Sequence, residues 1–186
     1  MLWALPVGLL AGWLRGGRIE ALARVRFRWA PLAVGGLLVQ VALFTESGDR
    51  LAGTLGPAIY VASTAAVLVA VLANLRIGGL AIAAVGAISN LAAIVANGGA
   101  MPADPGALAA AGFSGPGVHT NSVVIAEPLL RPLTDIFAVP AGVPFANVFS
   151  VGDVLIAIGV AFAIAAAMRT PAAGPRADAS GDSFLA

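Results

Sequence analysis

Two residues of this chain are equipped for acid–base chemistry. One is the only histidine, His119, and the other is Asp153, the only acid within or beside the last apolar run. Imidazole titrates near neutral pH, and a carboxylate at membrane depth is costly enough to suggest a task. An enzyme built here would use one or both on a lipid-linked substrate. Each also has an architectural reading. Ser150-Val151-Gly152-Asp153 has capping-box spacing, with Ser at the N-cap and Asp at N3, which sets negative charge at the positive helix end. His119 stands between Gly115-Pro116-Gly117 and Thr120-Asn121-Ser122, the surroundings of an exposed turn. Cysteine is absent, which excludes disulfides and thiolate chemistry. Asp104, Glu127, Asp135 and Asp153 offer carboxylates, but no metal-ligand spacing joins them to histidine, so no metal and no cofactor are expected.

A second group suits binding rather than catalysis. Asn90 and Asn97 are seven residues apart and share a helix face with Gly86. Asparagines within an apolar span need partners, in the bundle or in a polar pocket. Asn97-Gly98-Gly99-Ala100-Met101-Pro102 ends that span. Glycine after the last helical residue is the usual helix stop, and two glycines also let a ligand or another helix approach the backbone closely. Glu127, Arg131 and Asp135 follow at i, i+4, i+8. On a helix Arg131 would lie between two acids, although Pro128 and Pro132 disturb the register. This is either a structural ion-pair cluster or an arginine facing an anionic headgroup or substrate. The expected ligand-binding set is therefore Asn90, Asn97, Gly98, Gly99, Met101, Arg131, Asp135 and Asp153. The glycine turn would form the floor of a pocket, and the segment from Gly112 to Ser150 would cover it.

The elements that must position these residues follow from composition. Hydrophobic residues make up 60% of the chain and charged residues 10%, with a mean hydropathy of +0.97. Soluble domains carry about a quarter charged residues, so the solvent expected here is lipid and the fold class is all-α, a polytopic membrane helix bundle. Five spans are expected, at 2–14, 29–44, 55–75, 77–96 and 151–168, within one transmembrane domain over 1–169. Residues 170–186, rich in Pro, Gly, Asp and Ser, read as a disordered cytoplasmic tail. The first run is short, and its charges follow rather than precede it, which argues against a cleaved signal peptide. Gly8, Gly12 and Gly16 give it a face for close helix packing.

All ten basic residues are arginines. With the first loop inside, Arg15, Arg18, Arg24, Arg26, Arg28, Arg76, Arg169 and Arg176 are cytoplasmic, and only Arg50 and Arg131 are outside. The expected location is the cell membrane, with the N-terminus extracytoplasmic and the C-terminus cytoplasmic. The loop 98–150 then lies outside. In it, Asp104-Pro105 reads as a helix start and Gly112 as its stop. The arginine segment 15–28, with Ile19, Leu22, Ala23 and Phe27 between the charges, reads as interfacial or simply topogenic.

These motifs occur together in one known family. With Arg15-Gly16-Gly17-Arg18, Asn97-Gly98-Gly99-Ala100-Met101-Pro102, Leu133-Thr134-Asp135-Ile136 and Phe149-Ser150-Val151-Gly152-Asp153-Val154-Leu155-Ile156 in order, the chain resembles DUF5317, bacterial integral membrane proteins of unknown function. The resemblance covers nearly the whole chain outside the tail and implies no activity. It marks Asn97, Gly98, Gly99, Met101, Pro102, Asp135, Ser150, Gly152 and Asp153 as motif positions. Thr134 departs from the glycine expected before the aspartate.

The function expected from all this is binding of a lipid, an isoprenoid or another small amphipathic ligand at the outer face, or docking of a membrane partner or a second copy. No nucleic-acid partner is expected. The rivals are the membrane enzyme using Asp153 or His119 and a small transporter. Few polar residues lie mid-span and no internal repeat is evident, which weighs against transport.

Overall fold

Five apolar runs become the long helices of a predominantly helical fold, described by a computed structural model for residues 2–113 and 122–169. They are α1 (Ala4–Leu14), α2 (Ala30–Leu43), α4 (Gly56–Leu72), α5 (Leu80–Ala96) and α7 (Val151–Ala167). Their bounds lie within a few residues of those expected from hydropathy. The continuous helical run Glu46–Leu72, 27 residues, is long and apolar enough to cross a membrane, and the other four are apolar but shorter.

The polar stretch after α2, expected as a turn, is instead the short helix α3 (Glu46–Ala52). Thr45 caps it by accepting from Gly48 N at 3.0 Å, and Arg50 pairs with Glu46 one turn away at 3.5 Å. A capping threonine followed by acids in the first turn and an arginine in the last favours this seven-residue helix.

The long helices pack in the order α2–α4–α5–α7–α1. All neighbours are antiparallel except α1 and α7, which run side by side in one direction, as Gly8 against Ala161 and Gly12 against Ala165 require. Close approach rests on small residues. On α5 and α7, Gly86 faces the Gly152 carbonyl and Gly79 the Gly159 carbonyl, at separations that no Cβ could share. Gly8 and Gly12 perform the packing role expected of them, whereas Gly16 has open space and a φ of 75°. Among the described residues no extensive packing joins α2 to α7, so the four helices α2, α4, α5 and α7 form an arc with a concave side.

The segment between α5 and α7 is a small folded cap rather than a set of helices alone. Helix α6 (Pro105–Ala110) forms as the sequence predicts. Asp104 accepts from Gly106 N and Ala107 N at 2.9 and 3.1 Å, and Gly112 ends the turn at a φ of 83°. Beside it, β1 (Met101–Pro102) pairs in parallel with β2 (Ser122–Val123), and β3 (Phe137–Val139) pairs antiparallel with β4 (Asn147–Phe149). Ala103, Ala107, Ala111 and Val148 make its own apolar core. Glu127, Arg131 and Asp135 do not share a helix. Residues Arg131–Leu133 form a single 3-10 turn, because Pro128 and Pro132 remove the N–H groups a helix would need. His119 and the tail 170–186 lie outside the described residues.

Chain direction gives the bundle two distinct ends. One carries the cap with α3. The other carries Arg15, Arg18, Arg24, Arg26, Arg28, Arg76 and Arg169, with Glu20 as its single described acid. The carboxyl of Glu20 is held below its ordinary range by a backbone hydrogen bond and then by the Arg18 guanidinium 3.5 Å away.

Candidate functional site

Asn90 sits on the inner face of α5, about two turns before its C-cap Asn97, and both its amide nitrogen and its amide oxygen are bonded. Its Nδ2 donates to Asp153 Oδ1 at 2.8 Å, and its Oδ1 accepts from Ser150 Oγ at 2.8 Å. Ser150 and Asp153 complete the expected capping box at the start of α7. Ser150 Oγ accepts from Asp153 N at 3.0 Å, and Asp153 Oδ2 accepts from Ser150 N at 3.1 Å. Ser150 is 0% exposed. The three side chains, with the main-chain N–H groups of Ser150 and Asp153, form a closed ring across α5 and α7 at the level where Gly86 and Gly152 let the backbones meet. A Cβ on Gly152 would strike the Asn90 amide oxygen, so this glycine makes room for the ring.

A cavity of about 200 Å³ opens beside the ring, on the concave side of the arc. Its polar lining comes from Gln40 on α2, Tyr60 and Thr64 on α4, Asn90 on α5, Asp153 on α7 and Asp135 from the cap. Met101 and Asp135 roof it, and both are 3% exposed. The roof is held by main-chain bonds. Asp135 N donates to Pro102 O and Asp104 N to Asp135 O, each at 2.9 Å, so Asp135 is strapped to the strand that follows the helix stop. On the opposite wall Gln40 Nε2 donates to Thr64 Oγ1 at 3.3 Å, and Thr64 donates to Tyr60 O at 2.8 Å. Phe44 packs edge-on against Tyr60, with centroids 5.1 Å apart, and fixes that ring. Leu37, Val67, Ala87 and Ile156 line the lower part. Leu37 is 52% exposed, so the cavity opens sideways, toward the gap between α2 and α7.

Four of the eight residues expected from sequence, Asn90, Met101, Asp135 and Asp153, are thus brought to one cavity. The other four stand elsewhere. Asn97 clamps the cap. Its Nδ2 donates to Ala93 O and Leu129 O at 2.8 and 2.9 Å, and its Oδ1 accepts from Leu129 N at 2.9 Å. Gly98 and Gly99 take φ of 71° and 89°, and Gly99 N returns to Ile94 O at 2.8 Å, a left-handed helix stop. Gly99 also lies against Pro57 at the start of α4. Both glycines border an open groove of about 620 Å³ on a different face of α4 and α5, among Pro57, Ala58, Val61 and Val95. Arg131 pairs with Asp104 at 3.6 Å and lines, with Glu127, an outer cleft of about 420 Å³ in the cap.

Sequence reading missed Gln40, the one polar group of α2, and Tyr60 and Thr64, which stand one turn apart on α4. They lie on two helices and acquire meaning only through the packing of α2 on α4. It also missed Asn74, which is 4% exposed. The Asn74 side chain accepts from Arg28 N at 2.7 Å and donates to Arg28 O and Ala70 O at 2.8 and 2.7 Å.

Fold and site together define a small helical bundle with a folded cap over a polar cavity. The chain belongs to DUF5317, a family of unknown function, whose model matches residues 24–165. No curated protein and no solved structure matches it.

Proposed function

We propose that this is a five-span protein of the cell membrane, with the cap outside and the arginine end in the cytoplasm. Beneath the cap it binds the polar head of a small amphipathic molecule whose apolar tail lies in the lipid-facing gap between α2 and α7. The observation that carries the reading is the cavity itself. Six polar side chains from four helices and the cap converge on it, just inside the capped end of an otherwise apolar bundle.

The membrane setting draws support from the outer surfaces. Leu5, Val7, Leu10 and Trp13 on α1 and Val34, Leu38 and Val41 on α2 all face outward. Single exposed apolar residues are ordinary on a protein in water, but helix-long apolar faces are not. Orientation draws support from charge, because arginines concentrate on the cytoplasmic side of membrane proteins. The size of the cavity bears on its occupant. Pockets that enclose a whole small molecule hold about 300–1,000 Å³, so about 200 Å³ suits a headgroup and leaves a tail outside. The rival enzyme has less support, since both carboxylate oxygens of Asp153 already accept hydrogen bonds from Asn90 and Ser150.

Native mass spectrometry of protein taken directly from its membrane tests this. The wild type should carry one small amphipathic molecule, and Ala87→Phe, which fills the cavity floor, should lose it while remaining folded. Equal retention by both proteins, or none by either, would count against the cavity as the site.

A further inference from the structure

The tip of the β3–β4 hairpin is built like no ordinary surface loop. From Ile136 to Gly152 the chain carries no charged side chain, and residues 140–146, Pro-Ala-Gly-Val-Pro-Phe-Ala, carry no polar one. Yet the tip is exposed, with Phe145 at 62% and Val143 at 40%. Loops in water are normally polar and rich in turn-forming Asn, Asp and Ser. Phe145 also holds a φ of 63°, a region that costs an L-residue on the order of 1–2 kcal/mol, and it does so with its ring turned outward. It meets one neighbour of note, Trp3, edge-on at 6.0 Å.

Trp3 stands at the capped end of α1, the shortest of the long helices. Its 11 residues rise about 16 Å, against a hydrocarbon core of about 30 Å. The hairpin tip rests where α1 runs out. Four of the seven tip residues present no free N–H: Pro140 and Pro144 have none, and Ala141 N and Val143 N are bonded to Ala110 O at 3.1 Å and Pro140 O at 2.9 Å.

We infer that the hairpin tip, residues 140–146, together with Trp3, is a wedge that inserts into the outer leaflet at the boundary of headgroups and acyl chains and completes the apolar height that α1 lacks. The partner is the lipid surface. The wedge continues the exposed apolar face of α1 that runs from Trp3 through Val7, Leu10 and Leu14, and aromatic rings are favoured at that depth. This inference rests on the membrane reading above.

The test places one tryptophan at the tip. Phe145→Trp is made in a background of Trp3→Phe, Trp13→Phe and Trp29→Phe, and the protein is reconstituted in phosphatidylcholine–phosphatidylglycerol vesicles. Lipids brominated high on their chains should quench its emission at least twofold, and aqueous iodide should quench it little. Strong iodide quenching without bromolipid quenching would place the tip in water and overturn the inference. Protection from both quenchers would mean that a protein surface or a second copy covers it, and would overturn it equally. As a second readout, the cysteine-free chain accepts Val143→Cys with a nitroxide label, which should be more accessible to oxygen than to a water-soluble nickel chelate. Loss of protein from the vesicles in an alkaline wash would instead sink the membrane reading itself.

Discussion

The two ends of the bundle use the same hydrogen-bond device for different purposes. At the arginine end Asn74, just past α4, grips the N–H and C=O of Arg28 and its own helix at Ala70. At the capped end Asn97, just past α5, grips the N–H and C=O of Leu129 and its own helix at Ala93. Each amide ties one loose strand to a helix terminus. The settings differ. Asn74 is buried, and the connector it holds leads directly into α2. The bonds of Asn97 to Leu129 are exposed, and the cap it holds roofs a cavity. The buried clamp secures the helices, whereas the exposed one secures the cover that the proposed ligand would have to pass.

The difference can be broken or sharpened by substitution. Gly152→Leu should have the largest effect, because it strikes the Asn90 amide and drives α5 from α7 at the capped end. A cost of about 3 kcal/mol or more is expected, read as loss of a monodisperse species in detergent. Asn74→Ala comes next, at about 2 kcal/mol in thermal unfolding, since it leaves the part-buried backbone groups of Arg28 and the buried Ala70 O without their partner. Ser150→Ala should cost about 2 kcal/mol, because it strips a partner from Asn90 and another from Asp153 N. Asn97→Ala should cost only about 1 kcal/mol. It should speed hydrogen exchange at Leu129 while leaving exchange in α2 unchanged. Equal losses for Asn74→Ala and Asn97→Ala would erase the distinction between a structural and a covering clamp.

Much of this was legible in the residues. Hydropathy located the five long helices, and local spacing located the Ser150–Asp153 capping box, the Asp104 cap and the stops at Gly99 and Gly112, since each depends on neighbours within a few positions. What escaped depends on chain segments far apart. Strands of two or three residues, such as β1 with β2, carry no period to read. The i, i+4, i+8 spacing of Glu127, Arg131 and Asp135 suggested a helix, but two prolines prevent one. Arg131 turns to Asp104 while Asp135 passes beneath the cap. Asn90 was marked as needing a partner, and its partners lie 60 and 63 residues away. Gln40, Tyr60 and Thr64 looked incidental because the cavity that unites them is made by packing alone.

The proposed orientation puts the two ends on opposite sides of a membrane, and cysteine labelling tests that most directly in a chain with no cysteine of its own. Arg131→Cys in the cap and Arg76→Cys between α4 and α5 are each exposed to an impermeant thiol reagent in intact cells. The account predicts that position 131 is labelled from outside, while position 76 is labelled only after permeabilisation. Labelling of position 76 in intact cells, with position 131 protected until the membrane is opened, would contradict the orientation and the placement of the capped cavity at the outer face.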